Sequence, residues 1–352
     1  MAKSVFQGIS VRGIAGAVPR GKVRNLVDHD FCPEAERGQI VGLTGVSEYR
    51  KSSHEICSSD LCEAAARELM GTLEIRPTDI DAVLFATMTP DYRVPSTSCV
   101  LQSRLGCNIS TVAYDINMGC SGFIVGLYNA CALIRGAGLQ RVLLLAGDTQ
   151  TKLCYERDKS VVFLLGDAGT ATLVENSDRG EDIKIELFTD GSRFDKLYVP
   201  AGGCRKPSSD LTRQIVESPD GGVRSEDNLY MDGMEIFKFS STEVVKSIKD
   251  FMDVEHLSVD DIDYLLLHQA NKFMTDKIAR KLKFPPEKVP YSLQVYGNTA
   301  AASIPLTIAH NFPSMSANAR RRCLLSGFGV GLSWGTALIG LGDLTCPPVV
   351  EC

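Results

Sequence analysis

No uninterrupted apolar run in this sequence reaches the ~18 residues that a helical membrane span requires, so a membrane protein is not expected. The amino-terminal stretch MAKSVFQGISVRGIAGAVP lacks the charged-then-apolar layout of a secretory signal, which points to the cytoplasm. No block of Lys and Arg supplies the basic stripe of a nucleic-acid-binding protein, and the formal net charge is -6. Nucleic acid is therefore not an expected partner. The 12 cysteines show no framework spacing, and no CxxC pair is present to hold zinc. Cys62, Cys99, Cys131 and Cys323 lie in apolar segments and read as small buried hydrophobes.

What is present is the composition of an ordinary soluble globule, 44% hydrophobic and 23% charged over 352 residues. That length exceeds the usual single core of ~100–200 residues, so two domains, or one large domain built from two halves, are expected. Strand-like runs (AVLFAT at 82–87, VLLLAGD at 142–148, YLLLHQ at 264–269 and CLLSGFG at 323–329) alternate with helical segments, which predicts α/β layering.

An internal repeat is also visible. From Ser59 the chain runs SDLCEAAARELMGTLEIRPTDIDAVLFA, and from Ser241 it runs STEVVKSIKDFMDVEHLSVDDIDYLLLH. Each is an amphipathic helix, a polar link, the triplet Asp-Ile-Asp and an apolar strand. RVLLLAG at Arg141 and RCLLSG at Arg322 repeat at an offset that agrees to one residue. Two similar halves are predicted, 1–176 and 236–352, joined by a Gly-, Asp-, Ser- and Arg-rich connector of loops and hairpins over 177–235. The closing TCPPVVEC is expected to trail off the last strand.

Four segments carry polar groups suited to chemistry. In YDINMGCSGFIVGLYNACALI a short strand gives way to small residues and then to a helix, which places Cys120 on the turn. The positive end of a helix dipole and unpaired backbone N–H groups favour a thiolate there, so a lowered thiol pKa is expected; a buried cysteine in a tight junction is the alternative. His268 closes an apolar strand, at an address where parallel strands deliver residues to a crevice; a hydrogen-bonded core histidine is the alternative. The equivalent position of the first half is the inert Ala86. Asn298, in VYGNTAAASIPLTIAH, is a polar amide among small residues, suited to a helix cap, to a donor role, or to both. The glycine-rich turn of LLSGFGVGLSWGTALIG can present backbone N–H groups to an oxyanion, or be a plain hairpin.

These segments, in this order, resemble the thiolase superfamily and specifically β-ketoacyl-acyl carrier protein synthase III. The residues that carry the resemblance are INMGCSGF around Cys120, LLGDAGTA from Leu164, HQAN from His268, YGNTAAASIP from Tyr296 and GFGVGLSWGTAL from Gly327. The resemblance implies a thiolase-like α/β fold in which duplicated βαβαβ halves form a layered α/β/α/β/α core. It implies that Cys120 takes an acyl group from a thioester, and that His268 and Asn298 polarise a malonyl thioester as it loses CO2. Backbone N–H groups of Cys120 and Val330 would form the oxyanion hole, and Phe328 would flank the cysteine. No metal or cofactor is implied. The partners would be acyl carrier protein, an acyl-CoA or acyl-carrier-protein donor, and a second copy of the chain in a homodimer.

Several positions depart from the family pattern. Gln39 stands where many members carry a Trp that stacks on the adenine of coenzyme A, and Leu43 where an Arg is usual. Lys159 replaces an Arg before the GDAGT segment, and Phe273 replaces a basic residue after HQAN. These departures weigh against acetyl-CoA priming and toward an acyl-carrier-protein donor or a specialised pathway. Asn271, Lys238, Arg280 and Lys281, with Lys159, are the candidates for the pantetheine arm and the acidic carrier protein. At the pocket floor, which the family takes from the partner subunit, Val94 leaves room for a longer or branched acyl chain. Other uses of the same nucleophile are acyl transfer to an alcohol or amine and simple thioester hydrolysis; a non-catalytic partner subunit of a heterodimeric synthase is the reading from a different class.

Overall fold

The structure is a computed structural model and describes residues 2–178, 180, 182–217, 222–312 and 320–352. Two sheets form the frame. The first has six strands in the order Val350–Glu351, Ile9–Val18, Ala168–Asn176, Arg141–Asp148, Ala82–Ala86 and Val112–Ile116. The second has five, in the order Ala2–Phe6, Ile183–Thr189, Ser333–Leu341, Arg321–Gly329 and Tyr264–Leu267.

The repeat seen in the sequence is a repeat of pairing. Ala82–Ala86 lies parallel to Arg141–Asp148 with Ala82 opposite Val142, and Tyr264–Leu267 lies parallel to Arg321–Gly329 with Tyr264 opposite Cys323. In each half the inner parallel strand then meets an antiparallel neighbour, Ala168–Asn176 in one and Ser333–Leu341 in the other. Both faces of these sheets are covered, which is why their strands read as continuous apolar runs and not as alternation.

Helices make the remaining layers. Ser58–Thr72 buries Leu61, Cys62, Ala65, Ala66, Leu69 and Met70, a stripe at helical spacing, and packs with Leu143, Leu145 and Phe85 on the outer face of the first sheet. Val245–Val254 and Lys272–Lys281 pack Ile248, Phe251 and Ile278 against Leu265, Leu267 and Leu324 of the second. Between the sheets lie Gly122–Ala137 and Ser303–Asn311, whose Ile124, Leu127, Ile304 and Ile308 join Leu144 of one sheet to Leu325 and Ala337 of the other in a single core. The result is the layered α/β/α/β/α core expected of a thiolase-like fold.

Two segments differ from the expectation. The carboxy terminus does not trail away: Val350 and Glu351 pair in parallel with Ala17 and Val18 and close the edge of the first sheet. The connector region is more than loops, because Ile183–Thr189 within it is a strand of the second sheet, flanked by Ser333–Leu341 and Ala2–Phe6. All twelve cysteines are free thiols. Among the described residues no helix is long and apolar enough to cross a membrane.

Candidate active site

Cys120 and His268 arrive at the site in the same way, each just beyond the carboxyl end of a parallel strand. The strand Val112–Ile116 ends, a tight turn follows with Gly122 N–H donating to the Gly119 carbonyl at 2.6 Å, and the helix Gly122–Ala137 starts with Ser121 as its cap. His268 follows Leu267, and its own N–H donates to the Ser326 carbonyl of the neighbouring strand at 2.8 Å. The next helix, Lys272–Lys281, is capped by Asn271, whose Oδ1 accepts from Met274 N–H at 2.8 Å.

Asn298 is held by its backbone. Its N–H donates to the Leu164 carbonyl at 2.8 Å, and its carbonyl accepts from Gly166 N–H at 2.9 Å and from the Gln150 side chain. A Cβ on Gly166 would lie 2.0 Å from the Tyr296 carbonyl, so the LLGDAGTA segment needs glycine there to run this close. The Asn298 side chain is fixed too: Oδ1 accepts from Ala300 N–H at 3.0 Å, which turns the amide nitrogen the other way, where its nearest partner is the Ala270 carbonyl at 3.4 Å. The residue is thus a local cap through its oxygen and an under-used donor through its nitrogen.

The hairpin between Arg321–Gly329 and Ser333–Leu341 ties these groups together. Phe328 sets its ring edge-on to His268 at 5.5 Å between centroids. Gly329 lies against Cys120, where a Cβ would stand 2.5 Å from Sγ. Backbone hydrogen bonds from Val330 and from Cys120 itself reach the sulfur, the two donors that the family resemblance implies for an oxyanion hole. Ser333 Oγ and Ser121 Oγ, 2.6 Å apart, fasten the hairpin to the turn that carries the cysteine.

Electrostatically the site is dry. Cys120, Asn298 and His268 are 8%, 7% and 1% exposed. Burial pushes the thiol up to about 11, with Val330 N–H acting the other way and the Asp148 carboxylate adding to the rise. The lowered pKa expected from the helix terminus is not what the free site has, because desolvation outweighs the backbone donors. Burial also holds His268 down to about 3, so its ring is neutral, with Nδ1 2.7 Å from Ser303 Oγ.

Asp148 escaped the sequence reading. Fully buried at the end of its strand, it accepts from Thr87 Oγ1, Met88 N–H and Thr89 Oγ1 at 3.1, 2.7 and 3.2 Å, and from Ala301 N–H at 3.2 Å. Burial raises it to about 7 in spite of these donors. It therefore links the first half to the turn that displays Asn298. A terminal Asp of an apolar strand gives no sign of this in sequence, since its partners lie far from it along the chain, at Thr87–Thr89 on one side and Ala301 on the other.

A cavity of about 740 Å³ opens beside the nucleophile, lined by Val330, Asn117, Met88, Thr149, Leu197 and Leu229 among others. The positions expected to bind the pantetheine arm and carrier protein lie outside its lining. Lys159 pairs with Glu36 at 2.8 Å, Lys281 donates to the Ser241 carbonyl at 2.7 Å, and Lys238 lies 3.9 Å from Glu235. Arg280 lines a separate hollow with Lys272, Asp276 and Tyr291. Phe273 is half exposed and stacks on Phe237 at 5.3 Å, and Leu43 is exposed. Val94 is 84% exposed on the loop before Thr97–Leu105.

Comparison with known proteins identifies the family. The family described as 3-oxoacyl-[acyl-carrier-protein (ACP)] synthase III matches residues 114–191, and its C-terminal counterpart matches residues 252–341. A putative 3-oxoacyl-[acyl-carrier-protein] synthase 3 from Campylobacter jejuni is 32% identical over 349 residues, spanning 97% of this chain and 96% of its own. A β-ketoacyl-[acyl-carrier-protein] synthase III from Streptococcus pneumoniae is 34% identical over 330 residues, 93% of this chain and 97% of its own. The crystal structure of a 3-oxoacyl-(acyl-carrier protein) synthase from Burkholderia xenovorans superposes with a TM-score of 0.92 at 34% identity, covering 99% of both chains. The matched segments contain Cys120, His268 and Asn298, and on fold, coverage and identity this chain belongs to the 3-oxoacyl-[acyl-carrier-protein] synthase III family of acyltransferases.

Proposed function

We propose that this chain condenses an acyl thioester with malonyl-acyl carrier protein through an acyl-Cys120 intermediate, in the synthesis of fatty acids or related acyl chains. Sγ of Cys120 attacks the donor carbonyl carbon; a new C–S bond forms, the bond to the pantetheine sulfur breaks, and the thiol proton ends on the departing sulfur. The tetrahedral oxyanion is met by N–H of Val330 and Cys120. The malonyl thioester then loses CO2, and the electrons of the broken C–C bond become an enolate whose oxygen accepts from His268 and the Asn298 amide. The enolate carbon attacks the acyl-cysteine carbonyl and expels Sγ as thiolate, which takes up a proton. Each step is carried by protein groups without a metal or cofactor.

The observation that carries this reading is the hairpin run Phe328, Gly329, Val330. Those consecutive residues touch His268 on one side and the Cys120 sulfur on the other, so one rigid element sets the acylation and decarboxylation groups against each other. The reading includes a division into halves over 1–176 and 236–352 around the connector 177–235. It includes a cytoplasmic location and a homodimer in which the exposed Val94 reaches the partner's acyl pocket. It also gives Asn271, Lys238, Arg280, Lys281 and Lys159 to the carrier surface.

The test is CO2 release from malonyl-acyl carrier protein with an acyl donor present, together with identification of the product by mass spectrometry. CO2 and a 3-oxoacyl carrier protein are expected in equal amounts, and no 3-oxoacyl product with Cys120→Ala. Free acid without CO2 would instead identify a thioesterase.

A further inference from the structure

The turn that carries Asn298 is held in a conformation its residues do not favour. Gly297 has φ of +70°, and Ala300, which has a Cβ, has φ of +46°. Alanine in that left-handed region is strained and persists where surrounding contacts fix it. Ala300 is also the residue that aims the site: its N–H donates to Asn298 Oδ1 at 3.0 Å, and its backbone hydrogen-bonds the His268 ring. A shift of Ala300 swings the Asn298 amide with it.

Two contacts from the end of one strand of the first sheet bracket this residue. Asp148 closes the strand Arg141–Asp148 and accepts from Ala301 N–H, on one side of Ala300. Gln150, two residues further on, reaches the other side, where its Nε2 donates to the Asn298 carbonyl and, at 3.2 Å, to the Gly166 carbonyl. Both partners are carbonyl oxygens, so the nitrogen end of the Gln150 amide faces the turn. The Asn298 carbonyl already accepts from Gly166 N–H at 2.9 Å. A second donor on the same oxygen therefore fixes the plane of the peptide leading to Ala300 more than it satisfies a lone acceptor. Gln150 is buried and lies outside the lining of the cavity beside Cys120, so its effect on substrate runs through the turn.

From this we infer that Gln150 is a positioning residue for decarboxylation: by gripping the Asn298 carbonyl it holds Ala300, and through Ala300 it sets the direction of the Asn298 amide nitrogen. The inference rests on the condensing reaction proposed above and adds to it a residue outside the substrate cavity.

The experiment follows two half-reactions of the whole chain. Acylation of Cys120 is read by intact-protein mass, with acetyl-CoA, a medium-chain acyl-CoA or acyl-acyl carrier protein, whichever loads the chain fastest. CO2 release from malonyl-acyl carrier protein is then measured on the chain already acylated. Gln150→Met keeps the side-chain length and removes both N–H donors. It is expected to slow CO2 release by about tenfold, the worth of one neutral hydrogen bond, with acylation and the half-saturating concentration of malonyl-acyl carrier protein unchanged. Gln150→Glu sets a carboxylate against two carbonyl oxygens and should lose more; it decides the matter if Gln150→Met does not fold. Because the effect runs through Asn298, the losses should not add, and in an Asn298→Ala background Gln150→Met should cost less than about threefold further. Equal slowing of both half-reactions, the same loss with and without Asn298, or CO2 release unmoved in the Gln150 variants overturns the inference and leaves the condensing reaction standing. No CO2 release from the acylated wild-type chain removes both.

Discussion

Nδ1 of His268 lies 2.7 Å from Oγ of Ser303, the first residue of the helix Ser303–Asn311. For a neutral imidazole to donate to a substrate oxygen from Nε2, Nδ1 must accept, and the Ser303 hydroxyl is within reach to donate to it. Ser303→Ala removes that hydroxyl and leaves the ring its hydrogen bond with the Ala300 backbone. Decarboxylation of malonyl-acyl carrier protein is expected to slow by about tenfold in that variant, the worth of one neutral hydrogen bond, while acylation of Cys120 keeps its rate. Equal loss in both half-reactions would mean that Ser303 serves folding and not the ring.

His268→Ala and Asn298→Ala remove the decarboxylation donors themselves. Each is expected to lose about 100- to 1000-fold in CO2 release, the usual cost of one oxyanion donor in a dry site, while still accumulating acyl-Cys120. Single-turnover mass measurements separate the two outcomes. Failure of either variant to acylate would move that residue into the first half-reaction.

Gly329 has φ of +157° and passes so close to Cys120 that a methyl group would stand 2.5 Å from Sγ. Gly329→Ala is expected to abolish acylation by displacing the sulfur or the Val330 N–H, with the fold retained by circular dichroism. Normal acylation in this variant would show that the turn does not shape the oxyanion site.

Two buried groups give opposite pH signatures. Asp148 is raised to about 7 when folded, so its contribution to stability is full below the unfolded value of 3.8 and is lost as pH climbs through 7. Asp148→Asn removes that loss, and its melting temperature should gain on the wild type between pH 5 and pH 8. His268 is lowered to about 3, so it contributes stability above its unfolded value of 6.5 and loses it as pH falls toward 3. The gap between wild type and His268→Gln should therefore narrow in acid. A pH-independent gap in both variants would contradict the burial of these groups.

The fold was legible because duplication leaves a mark in sequence. The Asp-Ile-Asp triplets ahead of Ala82–Ala86 and Tyr264–Leu267 announce two strands with the same neighbours, and the sheets pair them alike. Cys120, His268 and Asn298 stood out as polar groups in runs of small or apolar residues. What sequence hid was depth and distance. The thiol was expected to be acidic from its helix terminus, but its burial at the floor of the site decides the sign. The carboxy-terminal Val350 and Glu351 pair with Ala17 and Val18, a contact between chain ends that local composition cannot signal. Lys159, a candidate for the carrier protein in sequence, pairs with Glu36, more than a hundred residues away, a contact that its own segment does not signal.

Covalent capture by Cys120 is the most direct test, read by intact-protein mass after separate incubation with acetyl-CoA, a medium-chain acyl-CoA and acyl-acyl carrier protein. One addition equal in mass to the acyl group is expected from at least one donor, and none in Cys120→Ala. Absence of the addition with every donor, or its persistence in Cys120→Ala, would contradict the proposed nucleophile.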